Sequence, residues 1–170
     1  MADSISRSEL QIPCFSSDIE KAIREHLPHT GGASNPVDIT YSRDEKAFYH
    51  HIPKIVLESD QIDGLLVYGF FGPDWVLDIS DTMETGFIEG DREPFLQAGV
   101  KISKDFAALV KKYNKPVLGA TFQPGSDSMI KTLRREDIPL FPAPERAVKA
   151  MEALYRYKKI RKRPPGPPSW

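Results

Sequence analysis

Cysteine is almost absent from this sequence. Cys14 is the one thiol in 170 residues, so no internal disulfide can form and a reducing compartment is expected. It sits in "QIPCF" with no activating cation or histidine beside it, which predicts an inert thiol. Long apolar runs are missing too. None approaches the roughly 20 residues that cross a bilayer, and "MADSISRSEL" lacks the basic and apolar blocks of a secretory signal. Charge of one sign is not in excess: Lys and Arg number 23, Asp and Glu 24, and the net charge is −1. No overall field recruits nucleic acid or an anionic membrane. These absences together predict a cytoplasmic protein with neither a membrane nor a nucleic acid as partner.

Familiar catalytic patterns are lacking as well. His26 and His29 straddle Pro28, and the adjacent His50 and His51 cannot share a helix face. No cysteine or carboxylate pattern completes a zinc set. There is no Gly-x-Ser-x-Gly elbow. "QPGSDS" offers Ser126 as a helix cap but has no P-loop lysine. No catalytic residue and no metal ligand is nominated.

What is present reads as one soluble globular domain, with 40% hydrophobic and 28% charged residues. A chain of this length can bury about 70% of its surface on folding. "SSDIEKAIREHL" carries a helical apolar stripe of Ile19, Ala22, Ile23 and Leu27. A second helix follows the "NPVD" corner. Ser42 and Glu45 fit a capping box there, and Pro53 predicts a break near His51. "LLVY", residues 65–68, is a short apolar run expected to be a strand buried on both faces. A long helix is predicted over "REPFLQAGVKISKDFAALVKKYN" with Gly99 as its weak point, followed by a strand in "KPVLGATF". A short helix in "SDSMIKTLRRED", a strand in "IPLF" and a final helix in "PAPERAVKAMEALYRYKKI" complete the series. That last helix should bury Ala147, Val148, Met151, Leu154 and Tyr155.

Strands alternating with helices imply a parallel sheet covered on both sides. The expected fold is α/β: a three-layer α/β/α, flavodoxin-like parallel sheet. Residues 1–14 read as an N-terminal extension, 15–160 as the domain, and 161–170 as a basic, proline-rich disordered tail. Ligands in such sheets lie beyond the carboxyl ends of the strands. That rule selects residues 69–74, 122–128 and 142–144, with 34–42 beside them if "VDIT" caps a short strand. The "GFFG" turn before Pro73 would leave a helix N-terminus open to an anion, although Asp74 could satisfy that end itself.

The segments "LPHTGGASNPVDIT", "YHHIPKIVLESDQIDGLLVY", "KYNKPVLGA" and "IPLFPAPERAVKAMEALYRYKK" together resemble a known family. They look like the C-terminal flavodoxin-like, succinyl-CoA synthetase-like domain of the NDP-forming acyl-CoA synthetases. The resemblance covers residues about 10–160, and "NPVDIT" and "PERAVKAMEALYRY" are its most specific parts.

The resemblance implies a subunit or fragment of an acid-thiol ligase that makes acyl-CoA from a carboxylic acid, CoA and ATP or GTP. A phosphohistidine on another domain carries the phosphoryl group, and this domain offers it a helix N-terminus. The implied phosphate-facing residues are Asn35, Pro36 and Asp38 in the corner and Gly69, Phe71 and Gly72 in the turn. The implied partners are a CoA-binding, phosphohistidine-bearing domain and an ATP-grasp domain. CoA, ATP or ADP and magnesium would serve the whole enzyme; this chain alone would bind no cofactor and be inactive. The family's domain usually begins with an earlier strand and a Gly-rich loop, so this sheet is expected to lack an edge element. Two other readings stay open. One is a stand-alone flavodoxin-like binding or regulatory module, with a homo-oligomer possible in either case. The other is a nucleic-acid binder resting on the basic run Lys158–Arg163.

Overall fold

The structure is a computed structural model that describes residues 1–40, 42, 44–83 and 90–162. Its centre is a parallel sheet of three strands, β1 (Leu65–Tyr68), β2 (Val117–Ala120) and β3 (Leu140–Phe141), in the order β1-β2-β3. Leu65 pairs with Val117 and Tyr68 with Ala120; Gly119 pairs with Leu140. Parallel neighbours need crossovers. These are supplied by α4 (Pro73–Thr82) and α5 (Glu93–Lys111) between β1 and β2, and by α6 (Ser128–Arg135) between β2 and β3. The last helix, α7 (Pro144–Arg161), packs on all three strands through Ala147, Val148 and Met151. The result is the expected three-layer α/β/α, flavodoxin-like arrangement.

The main core joins Phe70, Phe106, Val110, Val117, Met129, Ile130, Leu133 and Leu140 between the sheet and helices α5 and α6. A second cluster, Phe15, Ile23, Ala33, Ala47, Ile52 and Val56, ties α2 (Ser17–Arg24) to α3 (Ile52–Glu58). A short helix, α1 (Ala2–Ser6), lies against α7. Gly99 is not a weak point. A Cβ there would stand 2.6 Å from Pro73 Cγ, so the missing side chain lets α5 touch the start of α4.

Several local expectations change form. The break at Pro53 appears as a π-helical turn over Ala47–His51, after which α3 begins with Pro53 in its first turn. Widening the helix before proline absorbs its missing N–H and its clash with the preceding turn. The Ser42–Glu45 capping box does not form. Ser42 Oγ accepts from Asp44 N–H at 3.2 Å, and the Asp44 carboxylate accepts from Lys46 and Ala47 N–H at 2.9 and 3.2 Å. A carboxylate one residue before the first turn reaches two amides, which a hydroxyl two residues further back cannot. Asp127 displaces Ser126 at the start of α6 for the same reason: it accepts from Met129 and Ile130 N–H at 2.9 and 3.1 Å.

β2 is buried throughout, but β1 is only half-buried and Tyr68 is 53% exposed. β1 is an edge strand, so one of its sides has no strand against it among the described residues. Leu154 and Tyr155 are exposed for a related reason, since α7 runs on beyond the sheet it covers. "VDIT" forms no strand; it contributes one antiparallel bridge, Gly32 to Asp38. Residues 163–170, most of the predicted tail, lie outside the described residues, as does 84–89 within "METGFIEGDREPF".

Candidate functional site

The loops after β1 and β2 meet at the carboxyl end of the sheet. Gly69 takes φ +94°, a left-handed conformation that glycine adopts without strain. Its N–H still bonds to Ala120 O at 3.1 Å, carrying the pairing one residue past β1. Thr121 Oγ1 donates to Phe70 O at 2.9 Å and accepts from Gln123 N–H at 3.1 Å, which stitches the two loops together. Phe70 points into the core, and Phe71, its neighbour, points out. The Phe71 ring lies 5.3 Å from those of both Trp75 and Phe122, an exposed aromatic group around the start of α4. Behind it the Tyr49 hydroxyl donates to Phe71 O at 3.4 Å, and burial pushes the Tyr49 phenol well above its ordinary range.

Gly72 is the residue before α4, and among the described residues no side chain caps that helix. The first N–H groups of a ten-residue helix therefore face the loop cluster with the positive end of the dipole. Gly72 is sterically required. A Cβ on it would lie 2.1 and 2.2 Å from the two carboxylate oxygens of Asp127. Asp127 is 2% exposed, and its Oδ2 has no hydrogen-bond partner among the described residues. Burial pushes its carboxyl above the ordinary range; Asp74 and Asp78 add to that, while the Ile130 and Met129 N–H groups oppose it. Asp74 turns away from its own helix: its Oδ2 accepts from Ser128 N–H at 3.0 Å and from Ser128 Oγ at 2.5 Å. The sequence reading allowed Asp74 to satisfy the start of α4, but it satisfies the start of α6.

The corner is held by its own polar groups. Asn35 Nδ2 donates to Pro13 O at 3.0 Å, and the Asn35–Pro36 peptide bond is cis. Asp38 exchanges two backbone hydrogen bonds with Gly32, each 2.9 Å. Its carboxylate accepts from Thr40 N–H at 2.8 Å and from the Thr40 hydroxyl, and these bonds hold its carboxyl below the usual range. Asn35, Pro36, Asp38, Gly69 and Phe71 line one groove of about 1470 Å³. Gly72 is not among its walls, nor is the 142–144 loop, where Ala143 and Pro144 start α7. The structure thus brings five of the six nominated residues to one groove and sets the sixth against Asp127.

Sequence reasoning missed Asp127, the Asp74–Ser128 bridge and Tyr49. An Asp directly before "SMIK" was a readable capping signal. It also missed a meeting of histidines: the rings of His26 and His51 stack at 4.4 Å with 6° between planes, and His50 meets His51 edge-on at 5.3 Å. Burial lowers the His51 pKa, and His26 and His50 lower it further. Parallel stacked rings do not converge their nitrogens. Among the described residues no three His, Cys, Asp or Glu side chains group so as to hold a metal ion. No described helix is long and apolar enough to cross a membrane.

Comparison with known proteins gives matches of structure alone. Over 94% of its length the chain superposes on the apo form of a dinucleotide forming acetyl-coenzyme A synthetase 1 from Candidatus Korarchaeum cryptofilum, with TM-score 0.65 and 20% identity. Over 93% it superposes on the Pyrococcus horikoshii OT3 protein PH0766, with TM-score 0.67 and 21% identity. The fold is shared with a domain-sized part of these larger chains. This chain spans only 30% of the first and 32% of the second. No protein-family model and no curated protein matches it.

Proposed function

We propose that this chain is the C-terminal flavodoxin-like portion of an NDP-forming acyl-CoA synthetase, and that it acts by presenting the start of α4 to a phosphohistidine on another domain. The observation that carries this reading is the likeness over 94% of the chain to an acetyl-coenzyme A synthetase. The geometry supports it at α4, whose first N–H groups no side chain caps among the described residues. Fixed backbone dipoles stabilise a transient, highly charged phosphoryl group without having to reorganise. Phe71, Trp75 and Phe122 around that helix start suit burial against a partner domain, because aromatic anchors dominate interface energetics. The corner residues Asn35, Pro36 and Asp38 would frame the same contact. CoA, the nucleotide and magnesium would be held by the CoA-binding and ATP-grasp portions. On this reading the chain makes no acyl-CoA alone.

The test is reconstitution. The purified chain is combined with the CoA-binding, histidine-bearing and ATP-grasp portions of such a synthetase, and the mixture is given ATP labelled at its γ-phosphate. Label on the partner histidine should rise or persist longer in the presence of this chain, and acyl-CoA should form only with all parts present. Label retained equally without this chain would overturn the proposal, as would label on the chain itself.

One observation favours a second reading, a stand-alone binding module. The Asp127 carboxylate beside Gly72 opposes a bare anion at α4 whenever it is ionised. A small-molecule ligand bound at Gly69–Asp74 without any partner would support this reading.

A further inference from the structure

The two oxygens of Asp127 are used unequally. Oδ1 accepts from Met129 N–H at 2.9 Å and from Ile130 N–H at 3.1 Å. Oδ2 is buried and has no partner among the described residues. Buried polar atoms are nearly always paired, so this oxygen calls for a donor. The same loop holds a second orphan. Gln123 is 7% exposed, and its Nε2 finds no partner among the described residues.

Gly72 shows where the spare oxygen stands. It is the cap residue of α4, and the place of its missing Cβ lies 2.1 and 2.2 Å from the Asp127 oxygens. A cap side chain would grow from that Cβ toward the second and third residues of the helix. These are Asp74 and Trp75, since the helix begins at Pro73, which has no N–H. The Asp127 carboxylate borders that place without using it. Among the described residues it accepts from no N–H of α4. An oxyanion on the Asp74 and Trp75 N–H groups takes the place of the cap side chain and so comes beside Oδ2.

We propose that the start of α4 takes an oxyanion that still carries one O–H, and that Asp127 selects it by accepting that O–H at Oδ2. This inference rests on the phosphoryl reading above and narrows it: the occupant is a phosphoryl group with a proton on one oxygen. An ionised carboxylate only accepts. So does sulfate, and two facing acceptors repel one another, which rejects the wrong ion. A phosphate near neutral pH keeps one O–H, which donates to Oδ2 while its other oxygens accept from the helix. The proton is shared between two oxygens and none is released. An acidic side chain can thus stand beside an anion site without closing it. The surroundings agree. Burial pushes the Asp127 carboxyl up, with Asp74 and Asp78 on α4 adding to it, and Tyr49 faces it from the π-helical turn. Among the described residues no cation pairs with it. A site that disfavours a bare carboxylate favours a proton held there.

The probes are inorganic phosphate, arsenate and sulfate, followed through the amide resonances of Asp74, Trp75 and Val76 in the whole chain. At about pH 9, where a carboxyl even well above its ordinary range is ionised, phosphate and sulfate are both dianions of similar size and differ in the O–H. Phosphate and arsenate should shift these amides, and sulfate should bind about tenfold or more weakly. Lowering the pH to about 5 should let sulfate bind, because a protonated Asp127 becomes a donor. Asp127→Asn keeps an acceptor for Met129 and Ile130 and adds a donor. With the circular dichroism unchanged, it should bring sulfate to within about twofold of phosphate at every pH. If the variant does not fold, the pH series on the parent protein decides alone. Equal binding of sulfate and phosphate by the parent at about pH 9 would overturn the inference and leave the phosphoryl reading standing. Sulfate still rejected by the folded Asn variant would do the same. No shift with any of the three ions would overturn both.

Discussion

The helices α4 and α6 both begin at the carboxyl end of the sheet, one after β1 and one after β2. At α6, Asp127 accepts from Met129 and Ile130 N–H, and Asp74 reaches across from α4 to accept from Ser128. At α4, Gly72 stands where a capping side chain would be, and among the described residues no side chain caps the first turn. One helix start is closed by the protein's own carboxylates and the neighbouring one is left open, with Asp127 touching both. Equivalent places in a fold differ in what they can bind according to whether local side chains have already taken the anion's role. At α6 the anion's role is already taken; at α4 it is not, although Asp127 opposes a bare anion there whenever it is ionised.

The strongest way to break this contrast is Gly72→Ala. The added methyl group would meet both Asp127 oxygens, forcing a shift that costs about 1–3 kcal/mol and lowering the midpoint of urea unfolding. Asp127→Ala should follow at about 1 kcal/mol, the usual loss for a helix cap, measured the same way. Asp127→Asn sharpens the comparison by keeping an acceptor without the charge. The folded-state pKa of Asp127 lies above its ordinary 3.8, so its contribution is fully present below that value and declines as pH rises through the folded value. The Asn variant should therefore gain on the parent protein as pH is raised from about 4.

A smaller effect distinguishes the two helices directly. Inorganic phosphate at low ionic strength should shift the amide resonances of Asp74, Trp75 and Val76 before those of Ser128–Ile130. The interaction is worth about 0.3–1 kcal/mol. Equal shifts at both helices would remove the distinction.

The least effect is expected away from the sheet, at His51. Its folded pKa is lowered from 6.5, so the unfolded chain binds more protons as pH falls. Stability should be full above about 6.5 and decline as pH drops toward the folded value. His51→Gln should flatten that slope in urea midpoints measured across pH 5–7.5.

Much of the architecture was legible because its signals are local. "LLVY" and "VLGA" are apolar runs between turn residues and became β1 and β2. Pro73 and Pro144 marked the starts of α4 and α7. The caps were less legible. In "YSRDE" and "GSDS" several oxygen-bearing side chains compete for the same amides, and the winner depends on where the helix begins. The site was legible as a set of loops but not as a geometry. Gly69, Phe71 and the corner share a groove, whereas Gly72 sits under a carboxylate more than fifty positions later in the chain, a contact that no spacing rule announces.

Helix and strand periods and turn chemistry act over a few residues, so the elements, their alternation and hence a parallel sheet between helices could be read along the chain. Packing of the layers settled that β1 is the outer strand among the described residues, that Gly99 is a point of contact, and that Asp74 serves the neighbouring helix. Each of these depends on which distant backbone arrives beside a residue, and that is settled when the layers pack.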